Sequence, residues 1–236
     1  SKGAVFVLML RYFTKVGIHD HDSLVLTFTV IAVASMFVGN LLALMQSHVK
    51  RILAYSSIAH FGYLLVAFLA SGSLAVTAAS YYLAAYFVTI LGAFGVITVL
   101  SGVKGEPDLM DDYRGLMWKR PWLGGVFTAM LLSLAGIPMT AGFVGKFYVM
   151  AAGIGSTLWL LVACLVVNSV IGLFYYLRII AVMFSRTQDD DQVSVAHAAG
   201  SVATGLVLAI LTLLLVWLGI YPAPLIDIID KMVAGL

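Results

Sequence analysis

The chain is poor in charge, has one cysteine and uses proline sparingly. Only 10% of its 236 residues are Asp, Glu, Lys or Arg, where an ordinary soluble domain has about 25%. With 62% hydrophobic residues and a mean hydropathy of +1.07, the fold class is all-α integral membrane, a multi-span helix bundle. Cys164 has no partner for an internal disulfide and lies in an apolar run, as a small packing residue does. No CxxC, GxGxxG or Walker phosphate loop occurs, so nothing calls for a bound nucleotide, and no metal site is expected. A net charge of +2 with no basic patch argues against a nucleic-acid partner and leaves the lipid bilayer.

Hydropathy divides the chain into spans. Residues 1–13 read as the end of a truncated transmembrane helix, because the run from Gly3 to Leu10 is too short to cross about 30 Å of hydrocarbon. That reading makes the chain a piece of a longer protein. Residues 24–184 hold five helices: 24–46, 51–70, 74–100, an interrupted stretch over 121–152, and 157–184. The last transmembrane helix is 198–220, and 222–236 is a short C-terminal amphipathic segment. Gly92-Ala93-Phe94-Gly95 offers small residues for close helix approach. Residues 101–120 read as a polar loop, and 153–156 as a short turn.

The loops give an orientation. Lys50, Arg51, Lys104, Arg114, Lys119, Arg120 and Arg186 fall on one side, against Lys15 and Lys231 on the other. Basic residues favour the cytoplasm. The loops 47–51, 103–120 and 185–197 are therefore expected there, with the C-terminus on the opposite, periplasmic side.

One cation falls within an apolar stretch. Lys146 follows the cluster Gly136-Ile137-Pro138-Met139-Thr140-Ala141-Gly142. Proline removes a helical donor and glycine permits unusual dihedrals, so Gly136, Pro138 and Gly142 mark a helix break. Freed backbone groups survive at membrane depth only inside protein or beside a cavity, and transporters build ion sites from such breaks. A charge near the bilayer centre costs roughly 2.5–3.5 kcal/mol on insertion scales. Two readings are open: a proline kink with a static ion pair, or a site that moves charge. The pairing of lysine with break favours the second.

A second constellation is Lys50, Ser57 and His60, spaced seven and three apart on one helical face, with Ser56 and Tyr63 beside it. It reads either as a proton-transfer line or as a basic anchor plus a core histidine. Lys2 is a further proton-transfer candidate, or a residue that starts a helix at the interface. His19, Asp20, His21 and Asp22 suggest a solvated loop rather than a metal site. Arg178 lies near a span end, where it can snorkel.

At these residues the chain resembles a known family. Ser47-His48-Val49-Lys50-Arg51-Ile52-Leu53-Ala54-Tyr55-Ser56-Ser57-Ile58-Ala59-His60-Phe61-Gly62-Tyr63 resembles the signature of the antiporter-like membrane subunits of respiratory complex I and of Mrp antiporters. The run from Leu134 to Phe147 resembles their broken helix. Asp112-Tyr113-Arg114-Gly115-Leu116 and Tyr175-Tyr176-Leu177-Arg178 fit the subunit N branch of bacterial NADH–quinone oxidoreductase best.

The resemblance implies a second inverted repeat of the antiporter-like fold, in a bacterial inner membrane. It implies proton translocation through a lysine/histidine axis of Lys2, Lys50, His60 and Lys146, driven by electron transfer elsewhere. It implies no cofactor in this chain, with FMN, iron–sulfur clusters and quinone in other subunits, so the chain alone is not catalytic. The implied partners are membrane-arm subunits, the antiporter-like subunit M and the small subunit K. The alternative is a subunit of an Mrp-type cation/proton antiporter. A first repeat with its glutamate–lysine pair is expected outside this sequence.

Overall fold

The computed structural model describes residues 21–101, 108–185 and 202–234, together with Leu8. Within the described residues from 21 onward, nine α-helices follow in order: α1 (Asp22–Leu44), α2 (Val49–Leu69), α3 (Ser73–Leu100), α4 (Leu116–Lys119), α5 (Pro121–Ala135), α6 (Ala141–Gly155), α7 (Trp159–Phe184), α8 (Val202–Ile220) and α9 (Ala223–Ala234). Among the described residues there is no strand, only an isolated bridge between His48 and Leu109. Among the described residues five helices are long and apolar enough to cross a membrane: α1, α2, α3, α7 and α8. The short pair α5 and α6 supplies a sixth crossing in two halves. At 1.5 Å per residue, each 15-residue half covers about 23 Å.

α2 is the central helix, buried on nearly every side from Ile52 to Leu69. α1, α7 and α8 carry their large apolar side chains outward, as Val30, Val170, Phe174 and Leu213 show. A helix buried all round needs no amphipathic stripe, and a helix facing hydrocarbon keeps its apolar residues outside.

The interior is layered. One apolar cluster joins Ala43, Leu53, Ala93, Phe127, Met130 and Tyr176 toward one end of the bundle. Another joins Met36, Tyr63, Tyr82, Val149 and Leu165 toward the other. Between them six of the helices contribute buried polar residues: Asn40 from α1, Ser56, Ser57 and His60 from α2, Thr89 from α3, Ser133 from α5, Lys146 from α6 and Asn168 from α7. This polar layer positions the site.

Several boundaries differ from the hydropathy reading. Residues 108–120 are not simply a polar loop. A 3₁₀ turn at Met110–Tyr113 and helix α4 bury Met110, Tyr113 and Leu116 beneath the bundle end. The backbone also pairs there, Met110 N–H to Ser47 O at 2.9 Å and Val49 N–H to Asp108 O at 3.0 Å. The turn expected at 153–156 lies later: α6 continues through Gly155, and Thr157 takes the left-handed conformation at φ 59°. Asp22 belongs to the first turn of α1, where an acidic side chain suits the helix dipole.

Candidate functional site

The break in the sixth crossing spans Gly136–Thr140. α5 ends in a Schellman cap. Gly136 is left-handed at φ 84°, which glycine adopts without penalty. Ile137 N–H donates to Leu132 O, and Gly136 N–H donates to Ser133 O, each at 3.0 Å. Two of the last four carbonyls of α5 are thereby satisfied, leaving those of Leu134 and Ala135.

Lys146 supplies them. Its Nζ donates to Leu134 O at 2.9 Å, to Ala135 O at 2.8 Å and to Ser169 Oγ at 2.9 Å. Three acceptors match the three donors of an ammonium. The side chain is 5% exposed and lies over the Tyr63 ring, 5.4 Å from its centroid. Instead of a carboxylate, the cation meets two carbonyls at the negative end of a half-helix dipole. Lys146 also explains Gly136 a second way: a Cβ there would stand 2.9 Å from its Cδ and 3.0 Å from Nζ.

Gly142 needs a correction. Its backbone is helical, in the first turn of α6, so it is not there for unusual dihedrals. It lets α6 press onto α5: an added Cβ would lie 1.9 Å from Ser133 O. Its N–H donates to Ser133 Oγ at 3.0 Å. Pro138 lies in the gap, where no helical donor is required. The second left-handed residue is Met139, at φ 70°. Thr140 caps α6, accepting from Phe143 N–H at 3.4 Å and donating to Ile137 O at 2.7 Å.

His60, 5% exposed, is held between two phenols: Nδ1 is 2.6 Å from the Tyr82 hydroxyl and Nε2 is 3.2 Å from that of Tyr176. Tyr63 meets its ring edge-on at 5.5 Å, and Tyr86 lies over it at 5.2 Å. A cavity lined by His60, Tyr82, Tyr86, Thr89, Ser133 and Lys146 joins this residue to the lysine. It leaves the centre of a water molecule about 10 Å³, roughly the room for one ordered water.

The expected line through Lys50 is different in detail. Lys50 sits half-buried in the first turn of α2, about 15 Å along the helix from His60. Ser56 Oγ donates to Leu53 O and Ser57 Oγ to Ala54 O, at 2.9 and 2.7 Å. Both hydroxyls commit their protons to their own helix and are left to accept. Lys2 lies outside the described residues.

Tyr63 is the one polar-path tyrosine that the sequence points to; Asn40, Asn168 and Tyr175 join it in the structure. Asn40 donates to Tyr63 Oη at 3.2 Å and to Asn168 Oδ1 at 2.9 Å, and accepts from Tyr175 at 2.8 Å. An Asn or Tyr in an apolar span is a visible signal, but its partners lie on other helices, from 23 to 135 residues away. Arg178 reaches the end of the bundle. Its guanidinium donates to Leu44 O and Gln46 O, at 3.3 and 3.4 Å, at the end of α1. Among the described residues no group of three His, Cys, Asp or Glu side chains could hold a metal ion.

The family described as NADH:quinone oxidoreductase/Mrp antiporter, TM, matches residues 1–172. The chain belongs to that family. Among curated relatives of this antiporter family, the NADH-quinone oxidoreductase subunit N of Nitrosospira multiformis is 54% identical, over 100% of this chain and 50% of its own length. Subunit N of Ectopseudomonas mendocina is 49% identical, over 98% of the chain and 47% of its own length. The chain thus spans about half the length of the curated relatives it matches. Respiratory complex I of Thermus thermophilus contains a similar structure, with TM-score 0.72 and 31% identity over 85% of this chain and 44% of that one. The Mrp complex of Dietzia sp. shares the fold at TM-score 0.77 and 23% identity, over 90% and 47%.

Proposed function

We propose that the chain belongs to a proton-translocating membrane-arm subunit of an NADH–quinone oxidoreductase, of the subunit N type, and carries protons between Lys146 and His60. The observation that carries this reading is the Lys146 ammonium, buried between half-helices and connected by a cavity to a buried histidine. An intramembrane ionisable residue facing the bundle interior marks an ion path. Lys2 and Lys50 extend the axis, with Ser56, Ser57 and Tyr63 lining it. Electron transfer, with its FMN, iron–sulfur clusters and quinone, belongs to other subunits, and subunits M and K are the neighbours the reading expects. The end of the bundle carrying His48, Lys50 and Arg178 faces the cytoplasm, and α9 the opposite side. The relatives near 50% identity favour this over a cation/proton antiporter, whose support is likeness of fold.

The test uses the complete subunit in its native complex and membrane. Lys146→Arg keeps a cation for the two carbonyls but cannot release its proton, and Lys146→Ala removes both. Electron transfer and the proton gradient are measured together. The expected result is an assembled arginine variant whose pumping and coupled turnover fall at least tenfold, within the usual range of about 10²–10⁴ for a lost proton-transfer group. Pumping at the parent rate by either assembled variant overturns the reading.

A further inference from the structure

His60 is a junction with two phenols, one on each ring nitrogen. A neutral imidazole has one N–H, so one phenol donates to the ring and the other accepts from it. The two phenols come from different helices, Tyr82 from α3 and Tyr176 from α7. Tyr82 is 2% exposed and lines the cavity that holds Lys146. Its ring is seated against Gly145 of α6, where an added Cβ would lie 3.0 Å from Cδ2. Tyr176 is not among the residues that line that cavity, and its ring lies 4.5 Å from that of Tyr175.

Resting on the proton-path reading, we propose that Tyr82 is a proton-relay residue, passing protons from the Lys146 cavity to Nδ1 of His60, with Tyr176 receiving them from Nε2. The transfer balances. With Nε2 protonated, the phenol proton of Tyr82 moves to Nδ1 as its oxygen takes a proton from the cavity. The Nε2 proton moves to the Tyr176 oxygen, whose own proton leaves to the next acceptor. The imidazole ends as the other tautomer, without net charge. The relay resets when water in the cavities lined by His60 takes the Nδ1 proton and gives one to Nε2, while the two hydroxyls turn back, so that no proton retraces the phenols. At 2.6 Å, the Tyr82 contact is at the short end for a hydrogen bond.

The complete complex is reconstituted in vesicles carrying Tyr82→Phe, or 3-fluorotyrosine at position 82, which keeps the hydroxyl but makes it more acidic. Assembly, electron transfer, proton pumping and the solvent deuterium isotope effect on coupled turnover are measured. Tyr82→Phe is expected to lower coupled turnover at least tenfold. Fluorotyrosine is expected to restore it to within about threefold with a changed isotope effect, because the transferred proton now leaves a more acidic oxygen. Tyr82→Phe pumping at the parent rate overturns the proposal. So does fluorotyrosine with the parent isotope effect, since that hydroxyl only holds the imidazole in place. If Tyr82→Phe does not assemble, the fluorotyrosine isotope effect decides alone. Lys146→Arg in the same vesicles separates the two readings. Loss there with normal pumping in Tyr82→Phe removes the relay and leaves the proton path, whereas normal pumping in both removes the path as well.

Discussion

Two cations in this bundle do the same local chemistry at different depths. Lys146 and Arg178 each donate to backbone carbonyls at the C-terminal end of a helix, where the dipole is negative. Lys146 is enclosed, with three bonds of 2.8–2.9 Å. Arg178 is half-buried near the bundle end, and its bonds are 3.3 and 3.4 Å. The difference is the competitor. At the edge, water can replace the guanidinium; inside, the enclosed ammonium is the donor that the Leu134 and Ala135 carbonyls have. A cation that completes a broken helix is therefore structurally necessary at depth and optional at the surface.

The comparison breaks most directly at Lys146→Met. The apolar side chain fits the membrane but leaves two buried carbonyls without donors, at about 1–3 kcal/mol each. A loss of about 4 kcal/mol is expected, read as a large drop in the thermal midpoint of the purified complex or in the fraction of subunit assembled. An unchanged midpoint would show that the carbonyls find other donors.

Gly142→Ala attacks the same break without touching a charge. The new methyl would lie 1.9 Å from Ser133 O, backbone that cannot swing aside. Over-packing of this kind costs about 1–3 kcal/mol. The expected loss is near the upper figure, accompanied by lower pumping, because α6 carries Lys146 away from α5. Parent-level stability and pumping together would mean that the two half-helices slide freely.

Thr140→Ala is milder. It deletes the cap of α6, worth about 1 kcal/mol at a helix N-terminus. Thr140→Ser should recover most of it, and failure of that rescue would assign the effect to packing of the methyl group.

How far the sequence foretells this site follows the distance over which each feature acts. Gly136 and Pro138 are local signals, and the helices part where they stand. Lys146 stands out because charge is so rare in the apolar spans. The reason for Gly142 is not local: its partner is Ser133 on the facing half-helix, and a dihedral argument misassigns it. Met139 in the left-handed region carries no sequence signal at all. The acceptors of Lys146 are backbone atoms, which every residue possesses, so a search for a carboxylate partner could not find them. Tyr82, Tyr176, Asn40 and Asn168 are visible letters whose meaning depends on helix packing. The segment 108–120 misleads for another reason: its charges face water while Met110, Tyr113 and Leu116 turn under the bundle, and average polarity hides that alternation.

Arg178→Met completes the comparison from its weak side. The guanidinium spans Leu44 O and Gln46 O, where the chain leaves α1 and turns toward α2. Its loss exposes those carbonyls to water rather than to hydrocarbon, so the expected cost is about 0.5–1 kcal/mol, the lower end for a hydrogen bond. Pumping should stay near the parent rate, because no buried polar group in the Lys146–His60 layer loses a partner. The thermal midpoint and the pumping rate, measured beside Lys146→Met, make the contrast quantitative. An effect of Arg178→Met as large as that of Lys146→Met would mean that the end of α1 is as dry as the break. Depth would then not be what separates the two cations.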